Sequence, residues 1–404
     1  MVPNGWKLTS LGEVCSGNLQ TGPFGSQLHA HEYTDEGVPV LMPKDLINYR
    51  TNNVTAAKIP EHRADDLKKH VLKSGDLLFS RRGDVARFAL IESDYPRSLC
   101  GTGCLKATPN KAHSPLFLSY FLQKNAVKKW LEQNAVGQTM PNMNTAILAE
   151  LPIMVASSKE EEDKIAQILS TWDKAVATTE KLIKTSKQQK KALMQQLLTG
   201  KKRLVNPETG KAFEGGWEEV RAGNVFLTRS NKKHNSDLPI LAITQDKGAI
   251  PRELIDYNVS VTNDSISGYK VVEQGDFIIS LRSFQGGIEY SKYKGICSPA
   301  YVILYPKIEI VDAFYKYHLK SHPFIQAMKS RLEGIRDGKI ISYKYFSEIK
   351  LPQPSLKEQQ KIASVLTAAD KEIKVLEAKL AHFKQEKKAL MQQLLTGKRR
   401  VTLE

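Results

Sequence analysis

Lys190-Lys-Ala-Leu-Met-Gln-Gln-Leu-Leu-Thr-Gly-Lys201 and Lys387-Lys-Ala-Leu-Met-Gln-Gln-Leu-Leu-Thr-Gly-Lys398 are the same twelve residues, set 197 positions apart (387 against 190). The match runs upstream. Lys164-Ile-Ala-Gln-Ile-Leu169 answers Lys361-Ile-Ala-Ser-Val-Leu366, and Asp173-Lys174 answers Asp370-Lys371, at the same offset. A weaker match fills the rest. Gly5-Trp6 and Gly216-Trp217 each open a unit, with Gly12 and Gly223 six residues beyond the tryptophan. Gly75-Asp-Leu-Leu-Phe-Ser-Arg-Arg82 answers Gly275-Asp-Phe-Ile-Ile-Ser-Leu-Arg282, and Leu151-Pro152 and Leu351-Pro352 close the halves. A repeat of this length decides the architecture before local propensity is weighed. The order is variable unit, similar segment, variable unit, similar segment.

Both similar segments read as helices. Ile362, Leu366, Ala369, Ile373, Leu376, Leu380, Phe383, Lys387, Leu390 and Leu394 recur at alternating spacings of four and three. That is the a/d seam of a coiled coil with one polar break, at Lys387. The first copy gives Ile165, Leu169, Trp172, Val176, Thr179, Ile183, Ser186, Lys190, Leu193 and Leu197, a seam weakened by Thr179 and Ser186. Gly200 and Gly397 fall where helix C-caps belong, each followed by basic residues that suit the carboxyl end of the helix dipole. Each helix should run about 40 residues, roughly 60 Å. Matching seams predict that the two helices pair. Antiparallel pairing would carry the variable units apart about a pseudo-two-fold axis, over more than the ~34 Å of one turn of B-DNA. The simpler alternative is that each helix packs only on its neighbouring domain.

The 404 residues exceed one ordinary core, and 41% hydrophobic with 25% charged residues is the balance of a soluble globular protein. No apolar run reaches the length of a membrane span, and Met1–Ser10 has no basic stretch followed by an apolar one. No membrane partner and a cytoplasmic location are therefore expected. Lys+Arg number 59 against 43 Asp+Glu, a net +16 and a pI near 9.4. That favours a polyanionic partner, most often nucleic acid. Cys100 and Cys104 lack the second pair that a zinc ribbon needs, and Cys15 and Cys297 stand apart. Free thiols and no metal site are expected, with His29 and His31 lacking a partner at ligand spacing.

The boundaries read as a first variable unit at 1–155, a spacer helix at 156–200, a second variable unit at 201–355, and a second helix with its tail at 356–404. The units read as mixed α/β. Val38–Leu41, Asp76–Phe79, Phe277–Ile279 and Tyr301–Leu304 look like strands bounded by Gly, Pro and Asp. Leu116–Leu131 and Ala313–Leu332 look like amphipathic helices. Loops at Thr21–Ser26, Arg81–Arg87, Gly137–Asn144 and Arg282–Gly287 are of a kind that enters grooves. Arg pairs with guanine, and Asn or Gln with adenine, through matched donors and acceptors. Candidate DNA contacts are therefore Arg81, Arg82, Arg87, Gln138, Thr139, Asn142, Asn144, Arg229, Arg282, Ser283 and Gln285. Arg336, Lys339 and Lys344, with Lys128, Lys129, Lys232 and Lys233, are candidates for phosphates. On sequence alone each is equally an ordinary solvated side chain.

Catalytic signatures are absent. There is no GxxxxGK[ST], no GxGxxG after a strand, no GxSxG and no HExxH. Asn206-Pro207-Glu208 is the nearest approach to the Asn-Pro-Pro-aromatic tetrapeptide with which an N6-adenine methyltransferase holds a flipped base. Paired carboxylates with a nearby lysine, as in nucleases, are not evident. No catalytic residue is assigned.

The doubled helix, alternating with two variable units, carries a resemblance. So do TGPFGSQL near the start, YKVVEQGDFIIS with SPAYVIL in the second unit, and LPQPSLKEQQKIASVL at the start of the second helix. The chain resembles the DNA specificity subunit of type I restriction–modification systems along essentially its whole length. The resemblance implies two target recognition domains, each reading one half of an asymmetric bipartite site in double-stranded DNA. It implies helices that set the gap and dock two methyltransferase (modification) subunits, with restriction subunits in the full complex. S-adenosylmethionine, ATP and Mg would be used by those partners, with no cofactor held by this chain. Ser158-Lys-Glu-Glu-Glu-Asp163 departs from Leu-Lys-Glu-Gln-Gln at 356–360, which leaves open whether both ends dock partners equally.

A seam needs matching types only at a and d. Identity across all twelve residues suggests that both copies present one face to two copies of one partner; gene conversion between repeats is the rival explanation. Two other functional classes stand beside the specificity subunit. One is a basic coiled-coil scaffold that binds nucleic acid or acidic protein without sequence preference. The other is an enzyme with divergent motifs.

Overall fold

The computed structural model describes residues 2–137, 139–235, 237–255, 266–281, 283–330 and 342–403. It divides into two units, Met1–Thr179 with Lys379–Glu404, and Glu180–Ala378.

Both units are built from the same local instructions. Gly75, at φ 90°, turns the chain, and Asp76 Oδ2 accepts from Lys73 N at 2.8 Å. The following strand, Leu77–Ser80, is buried along its whole length. In the second unit Gly275 has φ 96°, Asp276 Oδ2 accepts from Glu273 N at 2.8 Å, and the buried strand is Phe277–Ile279. Each strand sits inside an antiparallel four-stranded sheet. The first sheet runs Leu19–Thr21, Cys104–Ala107, Leu77–Ser80, Phe88–Leu90. The second runs Phe226–Arg229, Val302–Pro306, Phe277–Ile279, Glu289–Tyr290. The first unit adds a mixed sheet in which Val38–Leu41 lies antiparallel to Ala57–Ile59 and parallel to Leu99–Cys100.

The strand after each opening tryptophan returns to the strand before a long helix. Lys7–Ser10 pairs antiparallel with Pro152–Val155, and Glu218–Arg221 with Lys350–Gln353. The repeated glycines permit a close approach. A Cβ on Gly12 would lie 3.0 Å from Ala149 Cβ, and one on Gly223 would lie 3.0 Å from Ser347 Cβ.

Each expected amphipathic helix is two helices. Pro115–Leu122 is separated from Asn125–Asn134 by Lys124, whose backbone is extended. The first of these is buried almost all round and the second along one face only. Asp312–His318 is separated from His322–Ser330, where Pro323 cannot continue a preceding helix. Residues 331–341 lie outside the described set.

The long helices are Lys159–Leu197 and Leu356–Leu394, of 39 residues each. Within the first unit, Glu161 meets Arg400 and Asp173 meets Lys387. Partner numbers fall as helix numbers rise, which is antiparallel pairing. Trp172 packs edge-on against Phe383, with ring centroids 5.5 Å apart. Within the second unit, Lys187 meets Glu377, Lys190 meets Asp370 and Arg203 meets Glu358, antiparallel again. The expected pairing is present, and the alternative also holds at the helix ends. Ile165 and Leu169 share one core with Leu394, Phe117 and Ile153. Ile362 and Leu366 share the other with Leu197, Phe314 and Leu351. Ile183 and Ile373 are buried, whereas Val176, Leu193, Leu376, Leu380 and Leu390 are half-buried. Thr179 and Ser186 are buried on the seam, and their hydroxyls donate to Ala175 O (2.8 Å) and Glu372 Oε1 (3.3 Å).

Among the described residues no helix is long and apolar enough to cross a membrane, and no cluster of His, Cys, Asp or Glu could hold a metal ion. The four cysteines are buried free thiols. Burial pushes those of Cys15, Cys100 and Cys297 up to about 12, which keeps them protonated and unreactive at neutral pH.

Candidate nucleic-acid interface

In the first unit, loops far apart in sequence meet. Arg81 N donates to Gly103 O at 2.8 Å, Met143 N donates to Arg81 O at 2.8 Å, and Gly83 N donates to Pro141 O at 3.1 Å. Arg82 and Asn142 form an isolated bridge. Gly22 N donates to Cys104 O at 3.0 Å, and a Cβ on Gly22 would strike Gly101 O at 1.8 Å. The loops around 21–26, 81–87, 101–103 and 137–144 therefore form one cluster. The hairpin Leu46–Ile47 and Arg50–Thr51 joins it. Its tip holds Asn48 and Tyr49 at φ 51° and 65°, and Tyr49 stacks near Phe88 at 5.1 Å. Sequence reading missed this hairpin because Asn-Tyr is a poor signal for a turn with two positive φ angles.

The candidates in this cluster are not equivalent. Arg87 is held by Asp84 (3.3 Å) and by Pro43 O (3.1 Å). Asn144 caps the helix Thr145–Ala149, its Oδ1 accepting from Ile147 N at 2.8 Å. Arg82 and Thr139 are exposed, and Gln138 lies outside the described residues. Arg81 makes no ion pair among the described residues; its guanidinium lies over the ring of Phe24, 5.8 Å from the centroid.

In the second unit, Arg229 is committed to Asp276 at 3.4 Å and covers the Tyr305 ring at 5.0 Å. Burial pushes the Asp276 carboxyl up to about 6, against the pull of Arg229. Ser283 is buried, and its Oγ accepts from Ser280 N at 2.8 Å. Gln285 and Lys344 are exposed, as are Lys232 and Lys233. Arg282, Arg336 and Lys339 lie outside the described residues.

The repeated helices contain a polar network that the seam did not reveal. Lys190 Nζ reaches Asp370 Oδ1 at 2.5 Å, Tyr317 OH donates to Asp370 Oδ2 at 2.7 Å, and the ammonium lies 5.3 Å from the Tyr317 ring centroid. In the first unit Lys387, Asp173 and Tyr120 repeat this at 2.5, 2.6 and 5.4 Å. Burial would raise the Asp370 carboxyl, but Lys190 and Tyr317 outweigh it and hold it below the ordinary value. Lys387 is therefore a partnered seam residue, not a lone break. Arg203 grips Glu358 with two bonds (2.7 and 2.8 Å), and Arg400 grips Glu161 likewise (2.6 and 2.9 Å).

The divergent helix starts do the same work. Glu162 Oε2 accepts from Ser114 N at 2.7 Å, and Gln359 Oε1 accepts from Val311 N at 2.9 Å. Each satisfies a free N–H at the start of a neighbouring helix. All these pairs keep the 197-residue offset, Tyr120 with Tyr317 and Ser114 with Val311 included, so the offset was the available signal.

With these contacts assigned, part of the repeated dozen remains outward. Lys191, Gln195, Gln196 and Lys201 are exposed, and so are their counterparts Lys388, Gln392, Gln393 and Lys398. Beside the first set lies a cavity of about 460 Å³ whose wall includes Lys187, Lys191, Met194, Lys320 and Ile373. Its helix-borne lining recurs in sequence, with Lys384, Lys388 and Met391 answering Lys187, Lys191 and Met194.

Two sheet-based domains, each joined to a segment of a doubled helix pair, define a tandem recognition architecture. The chain matches the family described as "Type I restriction modification DNA specificity domain" over residues 3–188 and 214–385, and it belongs to that family. A Methanocaldococcus jannaschii protein named as the type I restriction enzyme MjaX specificity subunit is 27% identical over 426 residues, covering 99% of this chain and 95% of the relative. The type I restriction enzyme MjaVIII specificity subunit of the same organism is 28% identical over 314 residues, 72% of each chain. In fold, the chain is similar to the type I restriction–modification S subunit of M. genitalium, with TM-score 0.60 and 17% identity over 100% of this chain and 97% of that one. It is also similar to the HsdS subunit of Thermoanaerobacter tengcongensis, with TM-score 0.52 and 20% identity over 98% of both chains.

Proposed function

We propose that this chain is the sequence-reading subunit of a type I restriction–modification complex. Each recognition domain reads one half of an asymmetric bipartite site in double-stranded DNA. The helices set the gap and dock two modification subunits. The chain performs no chemistry itself: S-adenosylmethionine, ATP and Mg are used by the modification and restriction subunits. The complex works on cytoplasmic DNA.

The observation that carries this reading is the outward face of the repeated dozen. Lys190, Leu197 and Gly200 and their counterparts have internal work, which explains their identity. The side chains of Lys191, Gln195, Gln196 and Lys201 make none of the described hydrogen bonds or ion pairs, yet these residues are identical too. A surface kept twice suits one partner bound twice. The net +16 supports a DNA partner through phosphate contacts.

The test is domain exchange. Replacing residues 1–155 with the first domain of a subunit of different specificity should change one half of the methylated motif and leave the other half intact. A change in both halves, or in neither, overturns the proposal. Salt-dependent binding with no preferred site would favour the basic scaffold.

A further inference from the structure

The recognition loops of the first unit hold an unmatched donor and an unmatched acceptor on adjoining segments. Arg81 Nε is buried with no hydrogen-bond partner, and so is Asn142 Oδ1. Their segments are tied by the bond from Met143 N to Arg81 O at 2.8 Å and by the bridge between Arg82 and Asn142. Buried polar groups are nearly always paired, so an arginine with an empty Nε and no ion pair among the described residues, set at a loop cluster, calls for a ligand that supplies acceptors to its guanidinium. The major-groove edge of a G·C pair offers guanine O6 and N7 as acceptors and cytosine N4–H₂ as a donor.

The arginine is also prepared for one direction. Phe24 is about half exposed, at 54%, yet its backbone is fixed. Phe24 N donates to Gln27 Oε1 at 3.0 Å, Phe24 O accepts from Gln27 N at 2.8 Å, and the close approach of Gly22 to Gly101 O pins the loop. The Arg81 guanidinium lies 5.8 Å from the centroid of this ring, over its face. A cation–π placement of this kind suits the planar, delocalised fork of arginine and limits its freedom before a ligand arrives. Arg87 and Arg229, by contrast, are occupied by Asp84 and Asp276.

We infer that Arg81 reads the guanine of one G·C pair in the half-site of the first domain, with Phe24 as its positioning residue. This deepens the proposed function and rests on it. The fork of Arg81 takes guanine O6 and N7.

The experiment uses the full chain in complex with its modification subunits, on DNA carrying the methylated motif that the complex makes in cells. Wild type is compared with R81K, F24A and F24Y for binding to the motif and to each single-base-pair variant, and with DNA in which 7-deazaguanine replaces guanine. R81K and F24A should each lower discrimination at one G·C pair of one half-site, by roughly 5- to 150-fold, the worth of one bidentate pair. All other positions should stay unchanged. F24Y, which keeps a ring, should restore most of the discrimination, and 7-deazaguanine at that position should weaken wild type but not R81K. Equal weakening at every position would make Arg81 a phosphate contact and overturn the inference. A half-site without a G·C pair, or discrimination unchanged in R81K, would also overturn it. All of these leave sequence-specific methylation by wild type intact. Absence of any motif in wild type would instead sink the proposed function.

Discussion

Gly200 and Gly397 occupy matching places at the ends of the long helices, at φ 69° and 65°, but their surroundings differ. A Cβ on Gly200 would come no nearer than 3.5 Å to Trp217, an ordinary contact. On Gly397 it would lie 2.7 Å from Pro3 Cγ and 3.0 Å from the Trp6 ring. Gly200→Ala should therefore cost only the left-handed backbone, about 1–2 kcal/mol. Gly397→Ala should cost more, because the chain start must also shift. Urea unfolding of both variants checks this, and equal costs would contradict it. The sequence showed both glycines as caps. It could not show their different neighbours, which come from a tryptophan nearly 400 residues away in one case and 17 in the other.

His318 gives a residue-scale pH prediction. It is buried flat against Phe314, with centroids 6.2 Å apart, and burial pulls its imidazole down to about 4. The unfolded value is about 6.5, so the folded state binds fewer protons between the two. Its contribution is complete above about pH 6.5 and is lost as pH falls toward 4, by at most about 1.4 kcal/mol per pH unit. Asp276, raised to about 6 by burial, works in the opposite sense over its own range. His318→Phe should therefore lose less stability between pH 7 and 5 than wild type does. Parallel losses would place the acid sensitivity elsewhere.

At the scale of elements, the helices were legible from the seam and their caps, and the central strands from apolar runs after Gly-Asp. Two features were not. A seam pattern scores Lys387 and Lys190 as breaks, because it counts apolar residues and cannot see Asp173, Asp370, Tyr120 or Tyr317 arriving from elsewhere. Nor could spacing separate Arg81 from Arg87, since only the fold shows that Asp84 and Pro43 O occupy the second. The outward face of the repeated dozen carries the docking prediction. Lys191→Glu and Lys388→Glu each reverse a charge that is exposed or rims the cavity, without touching the Lys–Asp–Tyr networks. Each single variant should bind one modification subunit instead of two, and the double variant none, by light scattering of the purified complex. Two subunits retained by the double variant would leave repeat identity to gene conversion.

On the scale of the whole molecule, duplication explains why so much was readable. One set of instructions, written twice, produces the same sheet, the same glycine contact and the same ion pairs in each unit. The recognised bases were not readable, because loops held by distant carbonyls decide which side chains are free. The net charge adds a further expectation: binding should weaken steeply with salt, yet the preferred motif should persist. The basic scaffold would show the same salt slope and no motif.

The measurement that bears most directly on the central claim is single-molecule sequencing of DNA methylation in cells that hold the cognate modification subunit, with and without this chain. A methylated asymmetric motif in two parts, separated by a fixed gap, should appear only when this chain is present. An active modification subunit that yields no chain-dependent motif would contradict it.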